Sequence, residues 1–296
     1  MSHKKTILDK LLSHRLRGFD RFEHSPEAMR KACVSDATYL EVDTRCSADG
    51  EVFIYHDRTT GSEVNRQVAF HEETSSVLRQ LYFHDGQPLL TLSEALSIFS
   101  NRKRLDQTLC IDIKDYGFEG DHLNIVKEHG LEERVCFVSW IPQTILRLDG
   151  LGTTAPLILS HWNVFRMSPV NKAVSILFKN MQLKLSHFVI MGRNKCEQLP
   201  IKYHRGIQHC LVTDALPKRV LSCLKAHNGG ICIPKRLAGE RVKQYCSHNE
   251  IQLWVYSSGN LKDFTRYASD SFVDVVFCDD TPPILHGISE VAGVQC

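Results

Sequence analysis

The chain has no long run of apolar residues. No window approaches the roughly 20 consecutive apolar residues that cross a membrane, and residues 1–16 carry positive charges without the apolar stretch of a signal peptide. Lysine and arginine total 36 against 34 aspartates and glutamates, a net charge of only +2 in 296 residues. This balance argues against nucleic acid as a partner and against stable membrane anchoring. We therefore expect a cytoplasmic protein.

The sequence also lacks paired cysteines and interruptions between domains. Its 11 cysteines are scattered, with no CxxC pair and an odd total. We interpret most of them as buried reduced thiols. No repeat, low-complexity tract or Pro/Gly-rich linker marks a boundary, so the prediction is a single domain over residues 1–296.

What the sequence does contain is an alternation of short apolar runs with helical patterns, which is typical of βα units and a parallel sheet. The strands predicted for this sheet are Leu11 to His14, Tyr39 to Thr44, Leu109 to Ile113, Val135 to Trp140, Pro156 to His161, Gly230 to Ile233, Ile251 to Tyr256 and Val273 to Cys278. Eight strands are the number that a TIM-type (β/α)8 barrel needs. The predicted fold class is therefore an α/β barrel.

The stretch from about 163 to 217 is longer than a plain βα unit requires. It includes two further strand-like runs, Phe188 to Met191 and Cys210 to Thr213. We predict an insertion here. Its apolar helical pattern fits core packing and a lipid-binding rim equally well; the residues are Val170, Val174, Leu177 and Met181.

Two predicted strands carry charged residues on one face. Glu41 and Asp43 lie two residues apart, so both side chains point the same way. Two like charges on one face are unfavourable unless a cation lies between them. Asp112 and Lys114 share a face for the same geometric reason, on a strand whose other face is isoleucine. Such polarity departs from the apolar run expected in a parallel sheet, and function is the usual reason.

A hairpin is predicted directly after the first of these strands. The Asp49-Gly50 pair favours a two-residue type I′ turn. Counting back from this turn along both arms places Asp43 opposite His56. We therefore expect a histidine beside the acidic pair.

These residue types suit chemistry on a phosphate ester. Oxygens from Glu41, Asp43 and Asp112 suit a hard divalent cation, Mg²⁺ or Ca²⁺, rather than zinc. Arg15 and Lys114 can then hold phosphoryl oxygens, and two histidines remain for proton transfer. Each feature alone has an ordinary structural explanation, such as an ion pair, a strand-ending turn or a solvated histidine. Together those explanations require several independent accidents.

The order of the motifs resembles the glycerophosphodiester phosphodiesterase family. That family's series is HRG, PEN, ExD, a DG turn, HD and ExK. The matching segments are His14-Arg15, Pro26-Glu27, Glu41-Val42-Asp43, Asp49-Gly50, His56-Asp57 and Asp112-Ile113-Lys114. The resemblance is specific over the first 115 residues and looser afterwards.

The resemblance implies a TIM barrel with a small insertion after His56-Asp57, at about 58–88. It also implies a role for each candidate residue. These are the metal ligands Glu41, Asp43 and Asp112, the acid/base pair His14 and His56, the phosphate-binding Arg15 and Lys114, and Trp254 lining the substrate pocket. A core tryptophan is nearly as good a reading of Trp254. Ser25-Pro26-Glu27 has a sufficient explanation as a helix start, although the family places this glutamate near the site.

Three departures from the family pattern bear on substrate choice. Leu16 replaces the glycine after HR, and Ala28 replaces the asparagine after PE. Asp112 stands where most members have glutamate, as in the venom-type sphingomyelin-cleaving phospholipases D. All the charged participants remain. The prediction is metal-dependent hydrolysis of a small-molecule glycerophosphodiester to an alcohol and glycerol phosphate. The alternatives are a lysophospholipase D-like activity and a non-catalytic phosphate-binding barrel.

Overall fold

A computed structural model describes residues 6–102, 104–164, 211–213 and 215–292. The strands are β1 (Leu11–Ser13), β2 (Tyr39–Cys46), β3 (Val52–Ile54), β4 (Thr108–Ile113), β5 (Val135–Ser139), β6 (Leu157–Ser160), β7 (Trp162–Val164), β8 (Leu211–Thr213), β9 (Gly230–Pro234), β10 (Gln252–Ser258) and β11 (Val275–Cys278). The helices are α1 (Pro26–Cys33), α2 (Ser75–Leu78), α3 (Leu92–Ser100), α4 (Glu119–Glu128), α5 (Pro142–Gly150), α6 (Lys218–Ala226), α7 (Glu240–His248), α8 (Leu261–Ala268) and α9 (Thr281–Ala292).

Eight of these strands close into a parallel barrel. Around the barrel the order is β1, β2, β4, β5, β6, β9, β10, β11 and back to β1. β3 belongs to the same sheet but not to the closed barrel, and it pairs antiparallel with β2. The TIM-type barrel predicted from the sequence is confirmed, and each of the eight predicted strands is present.

The barrel strands direct apolar side chains outward, and the helices pack against these side chains on the outside of the barrel. α1 begins where the sequence predicts a helix start: the Ser25 side chain accepts a hydrogen bond from Ala28 N–H, and Pro26 occupies the first turn. The Glu27 side chain pairs with Arg30 and Lys31 along the same helix. The helix start predicted at Ser25-Pro26-Glu27 is therefore present.

Away from the carboxyl ends of the strands, the barrel interior is filled by apolar and thiol side chains; we call this region the lower part of the barrel. They form one cluster of Leu12, Cys110, Cys136, Val138, Ile158, Cys232, Trp254, Tyr256, Val275 and Phe277. The eight cysteines in the described part of the chain are all buried and none of them is in a disulfide, as predicted for reduced thiols. Among the described residues, none of the helices combines the length and apolarity that a membrane span requires.

The small insertion predicted at about 58–88 is present. It contains α2 and isolated bridges such as Val64 with Phe83, and it has its own apolar cluster, which includes Phe53 and Tyr55 of the β2–β3 hairpin. Most of the predicted insertion at 163–217 lies outside the described residues, including Phe188 to Met191 and the apolar helical pattern. β7 lies at the start of this stretch and β8 near its end, and the two strands pair in parallel.

The predicted register of the hairpin is wrong by one residue. Thr44 pairs with Ile54 and Cys46 with Val52, and Tyr55 N–H donates to the Asp43 carbonyl at 2.9 Å. Asp43 is therefore opposite Tyr55, not His56. The reason is the turn: it has three residues between Ser47 and Glu51, and Gly50 takes the positive φ of +94° that ends such a turn.

Candidate active site

The predicted site residues, except Trp254, meet at the carboxyl end of the barrel strands, which we call the barrel mouth. β1 ends at Ser13 and is followed by His14 and Arg15. Asp43 and Asp112 are direct register partners on the neighbouring strands β2 and β4. Active sites of TIM barrels lie at this end because loops from all eight strands converge there.

Lys114 joins two of the carboxylates. Its Nζ lies 2.7 Å from Asp43 Oδ1 and 2.5 Å from Asp112 Oδ2. All three side chains are at least nine-tenths buried. Burial alone lowers the pKa of Lys114, but Asp112, Asp43 and Glu41 outweigh it and raise that pKa above its usual value. Lys114 is therefore held as a cation.

Arg15 contacts the other side of the acidic group. Its backbone N–H donates to Glu41 Oε2 at 2.7 Å, and its Nε lies 3.2 Å from Asp43 Oδ2. The backbone bends sharply here: Arg15 has φ +55° and Leu16 has φ +57°. The family's glycine suits this left-handed region, whereas Leu16 adopts it at a cost of about 1–2 kcal/mol. The buried side chain of Leu16 packs in the apolar core between barrel and helices.

Negative charge is in excess at this point. Glu41, Asp43 and Asp112 face two cations, Lys114 and Arg15. Burial, reinforced by Asp43 and Asp112, raises the pKa of Glu41 well above its usual range. Burial also raises the pKa of Asp112. For Asp43 the opposite holds: Lys114, His56 and Arg15 outweigh burial and keep its pKa well below the usual range.

The carboxylates fit a divalent metal. Asp43 Oδ2 and Asp112 Oδ1 are buried, and neither accepts a hydrogen bond from the described residues, although Arg15 Nε lies 3.2 Å from Asp43 Oδ2. Buried oxygens without hydrogen bonds are costly, and a metal ion would satisfy both their charge and their lone pairs. Glu41 and Asp43 also place oxygens within 4.8 Å of each other and of a histidine nitrogen. The donor set is therefore suitable for one ion.

The two predicted histidines approach this acidic centre from different elements. His14 Nδ1 lies 2.6 Å from Asp279 Oδ1, just after β11. Burial lowers the pKa of His14, although Asp279 opposes this. His56 Nδ1 lies 2.9 Å from Asp57 Oδ1, with about one-third of its side chain exposed. When His56 is protonated, its charge lowers the pKa of both Asp43 and Asp112.

The structure adds polar residues at the mouth that were not predicted. Asp279 orients His14, and its only sequence signal is its position directly after the last strand. His24 lies beside Asp43 and Glu41, in a loop where no motif marks it. Burial lowers the pKa of His24 to about 4.

His161, noted at a strand end in the sequence, faces the same mouth. Burial, with the nearby Lys114 cation, lowers its pKa to about 3. Its ring contacts Tyr256, with 5.1 Å between ring centroids. His161 is thus a neutral ring on the far side of the mouth.

Trp254 does not line the pocket. It is 2% exposed, pairs with Val275 and Cys232 in the lower barrel, and its indole N–H donates to Gln252 Oε1 at 2.7 Å. The prediction placed it near the end of its strand, but β10 continues to Ser258. Four more residues therefore separate Trp254 from the mouth, which makes it a core residue.

A cavity of about 390 Å³ adjoins the site. One wall comes from the loop after β1, including Arg15, Arg17 and His24. The other comes from the hairpin and the 58–88 insertion, including His56 and Phe83. The cavity has the size of a small-molecule site.

Residues 12–163 match the model of the glycerophosphoryl diester phosphodiesterase family. The structure is also similar to solved proteins. A phosphodiesterase from Oleispira antarctica, solved with the product sn-glycerol-3-phosphate, is 14% identical with a TM-score of 0.63, covering 95% of this chain and 96% of that one. Two glycerophosphodiester phosphodiesterases share the fold. The one from Agrobacterium tumefaciens is 18% identical with a TM-score of 0.60, covering 94% of this chain and 99% of that one. The one from Thermotoga maritima is 17% identical with a TM-score of 0.59, covering 98% of this chain and 100% of that one. A search of curated protein sequences returns no significant match.

Proposed function

The chain belongs to the glycerophosphoryl diester phosphodiesterase family, a family of phosphoric diester hydrolases, and we propose that it hydrolyses a glycerophosphodiester to an alcohol and glycerol phosphate in a metal-dependent reaction. The observation that carries this proposal is the convergence at one barrel mouth of a buried acidic centre and two histidines. The family motifs predicted the same set. We further propose that residues 1–296 act as one catalytic domain.

In this proposal Glu41, Asp43 and Asp112 hold a divalent ion, Mg²⁺ or Ca²⁺. When bound, the ion acts as a Lewis acid toward a nonbridging phosphate oxygen. Lys114 and Arg15 bind the other nonbridging oxygen and stabilise the charge that develops there. Both cations are well suited to this, because neighbouring carboxylates raise their pKa values.

His14 and His56 carry the proton transfers. One accepts a proton from the attacking oxygen and the other donates a proton to the leaving alkoxide. Asp279 fixes the ring of His14 through Nδ1, which leaves Nε2 for the substrate. The attacking oxygen is either water or the neighbouring hydroxyl of the glycerol group, and the second route gives a cyclic phosphate.

Activity on a substrate panel tests the proposal. Glycerophosphodiesters, lysophospholipids and phosphomonoesters are incubated with Mg²⁺, with Ca²⁺ or with a chelator, and products are identified by phosphorus NMR. We expect glycerol phosphate only from diesters and only with metal. A transient cyclic phosphate signal identifies the internal attack. Preference for lysophospholipids reassigns the substrate class to lipids.

Single variants at the histidines complete the test. We expect His14→Gln and His56→Gln each to lose about 10²–10⁴-fold in kcat/KM. His129→Gln, a histidine outside the mouth that hydrogen-bonds Ser93, is the control and should match the wild type. A wild-type protein inert on all diesters with either metal, yet able to bind glycerol phosphate, supports the non-catalytic barrel instead.

A further inference from the structure

His24 is held in an unusual position. Its backbone has φ +62°, a left-handed conformation that is uncommon for residues other than glycine, with asparagine, aspartate and histidine the most frequent among them. It directly precedes Ser25, which caps α1, and its side chain is only 1% exposed. A strained and buried polar residue at a barrel mouth is commonly associated with function.

The ring of His24 lies within ligand range of the acidic centre. Nε2 is 3.5 Å from Asp43 Oδ2, and a ring nitrogen, a Glu41 oxygen and an Asp43 oxygen all lie within 4.8 Å of one another. Two atoms bound to one ion at about 2.0–2.2 Å stand roughly 3.0–3.6 Å apart. The separation from Asp43 therefore suits neighbouring ligands on the same ion.

The hydrogen bonding of His24 indicates which ring nitrogen has the lone pair. Asp43 N–H donates to His24 Nε2 at 3.4 Å, so the lone pair of Nε2 points toward Asp43. The same Asp43 presents Oδ2, which is buried, accepts no hydrogen bond from the described residues and has Arg15 Nε at 3.2 Å on another side. A nitrogen lone pair beside a carboxylate oxygen is repulsive, and a metal ion bound to both atoms would remove that repulsion.

Another buried histidine shows the ordinary arrangement. His122 is fully buried, but its Nδ1 lies 2.7 Å from the Phe118 carbonyl oxygen and its Nε2 lies 2.9 Å from the Thr44 hydroxyl. Both nitrogens are thus satisfied by short contacts. Among the described residues, His24 has only long contacts with Asp43, at 3.4 Å to its backbone nitrogen and 3.5 Å to its Oδ2, which a metal bond can replace.

We propose that His24 is a ligand of the metal bound by Glu41 and Asp43, so that the site has mixed nitrogen and oxygen donors. This rests on the proposed function, because it assigns a further ligand to the same ion. Imidazole binds first-row transition metals, most strongly the later ones such as Ni²⁺ and Zn²⁺ and more weakly Mn²⁺, whereas Ca²⁺ prefers oxygen alone. The chain should therefore bind Mn²⁺ more tightly than a site made only of carboxylates would.

Calorimetric titration of the purified metal-free protein with MnCl₂ and with CaCl₂ tests this. We expect His24→Gln to weaken Mn²⁺ binding about tenfold or more, while Ca²⁺ binding changes by less than about threefold. His122→Gln is the matched control, since it removes a buried imidazole that does not face the carboxylates, and its Mn²⁺ affinity should equal that of the wild type. Equal losses for both metals in His24→Gln, or no loss for Mn²⁺, overturn the proposal.

Pulsed electron paramagnetic resonance of the Mn²⁺-loaded protein provides a readout that does not depend on affinity. We expect ¹⁴N coupling in the wild type, its persistence in the His14→Gln/His56→Gln double variant, and its loss in His24→Gln. If His24→Gln does not fold, the wild type and the double variant decide: absence of ¹⁴N coupling in either one overturns the proposal.

The outcomes separate this proposal from the one on which it rests. A wild-type protein that binds neither metal and is inactive contradicts the proposed metal-dependent hydrolysis. A wild-type protein that binds metal and hydrolyses diesters, but shows no nitrogen coupling, contradicts only the role of His24.

Discussion

Two layers of the same barrel interior differ sharply in chemistry. On β4, Cys110 and Asp112 both point inward and are two residues apart. Cys110 lies among apolar side chains with Trp254, whereas Asp112 contacts Lys114 at the mouth. Two residues along the strand, about 7 Å, therefore separate Cys110 in the packed core from Asp112 at the mouth.

The comparison shows how a barrel distributes its polar groups. In the lower layer the indole N–H of Trp254 has a partner in Gln252, and burial favours folding. In the upper layer Asp43 and Asp112 each keep a buried oxygen that accepts no hydrogen bond from the described residues, which opposes folding in the absence of a ligand. The lower layer thus stabilises the fold that holds the upper one, and variants can separate the two roles.

The largest expected effect is in the lower layer. Trp254→Ala should reduce the free energy of unfolding by about 3–5 kcal/mol, because it leaves a cavity in a packed core. Urea unfolding followed by circular dichroism measures this. Phe272→Ala, at a residue that is 40% exposed, is the control and should change stability by about 0.5 kcal/mol or less. A rise in KM for Trp254→Phe without a loss of stability would return Trp254 to the pocket.

The next effect is in the upper layer and concerns activity. Lys114→Met should lower kcat/KM by about 10²–10³-fold, because it removes the buried cation that we propose binds the phosphate. Steady-state kinetics on the best diester of the panel measures the loss. Lys127→Met, at an exposed lysine on α4, should be neutral. Full activity in Lys114→Met would restrict Lys114 to a structural ion pair.

Asp279 connects the mouth to the end of β11 and should have a smaller effect. Because the contact with Asp279 raises the pKa of His14, Asp279→Asn should lower that pKa. The pH profile of kcat/KM has an acidic limb and a basic limb. The limb that reflects the titration of His14 should then move to lower pH. The exposed neighbour variant Asp280→Asn should leave the profile in place. An unchanged profile in Asp279→Asn would show that His14 does not limit the reaction.

The smallest effect is on the stability of the metal-free protein. Burial raises the pKa of Glu41 in the folded state. The stability that the protonated Glu41 contributes is therefore present at low pH and is lost as pH rises through its folded pKa. In chelator, Glu41→Gln should be more stable than the wild type at neutral pH, and its advantage should shrink toward acidic pH. Urea midpoints across this pH range test it, with exposed Glu27→Gln as control. With added metal the wild type should be more stable than Glu41→Gln.

Much of the fold and the site followed from local patterns. Alternation along β2 and β4 correctly grouped Glu41 with Asp43 and Asp112 with Lys114, because side-chain direction in a strand depends only on parity. The hairpin register was wrong, since the turn around Gly50 accommodates a third residue. Trp254 was misplaced for a related reason: parity gives the face of a strand, but height along the barrel depends on where the strand ends.

His24 and Asp279 illustrate what no local pattern contained. They come from the loop after β1 and the end of β11 and reach Asp43 and His14 only through barrel closure. The sequence by itself determined the barrel, the buried faces and the charged residues that share them, because these follow from periodicity and short-range geometry. Only the tertiary structure decided which side chains meet, since contacts between distant segments depend on strand register and loop conformation.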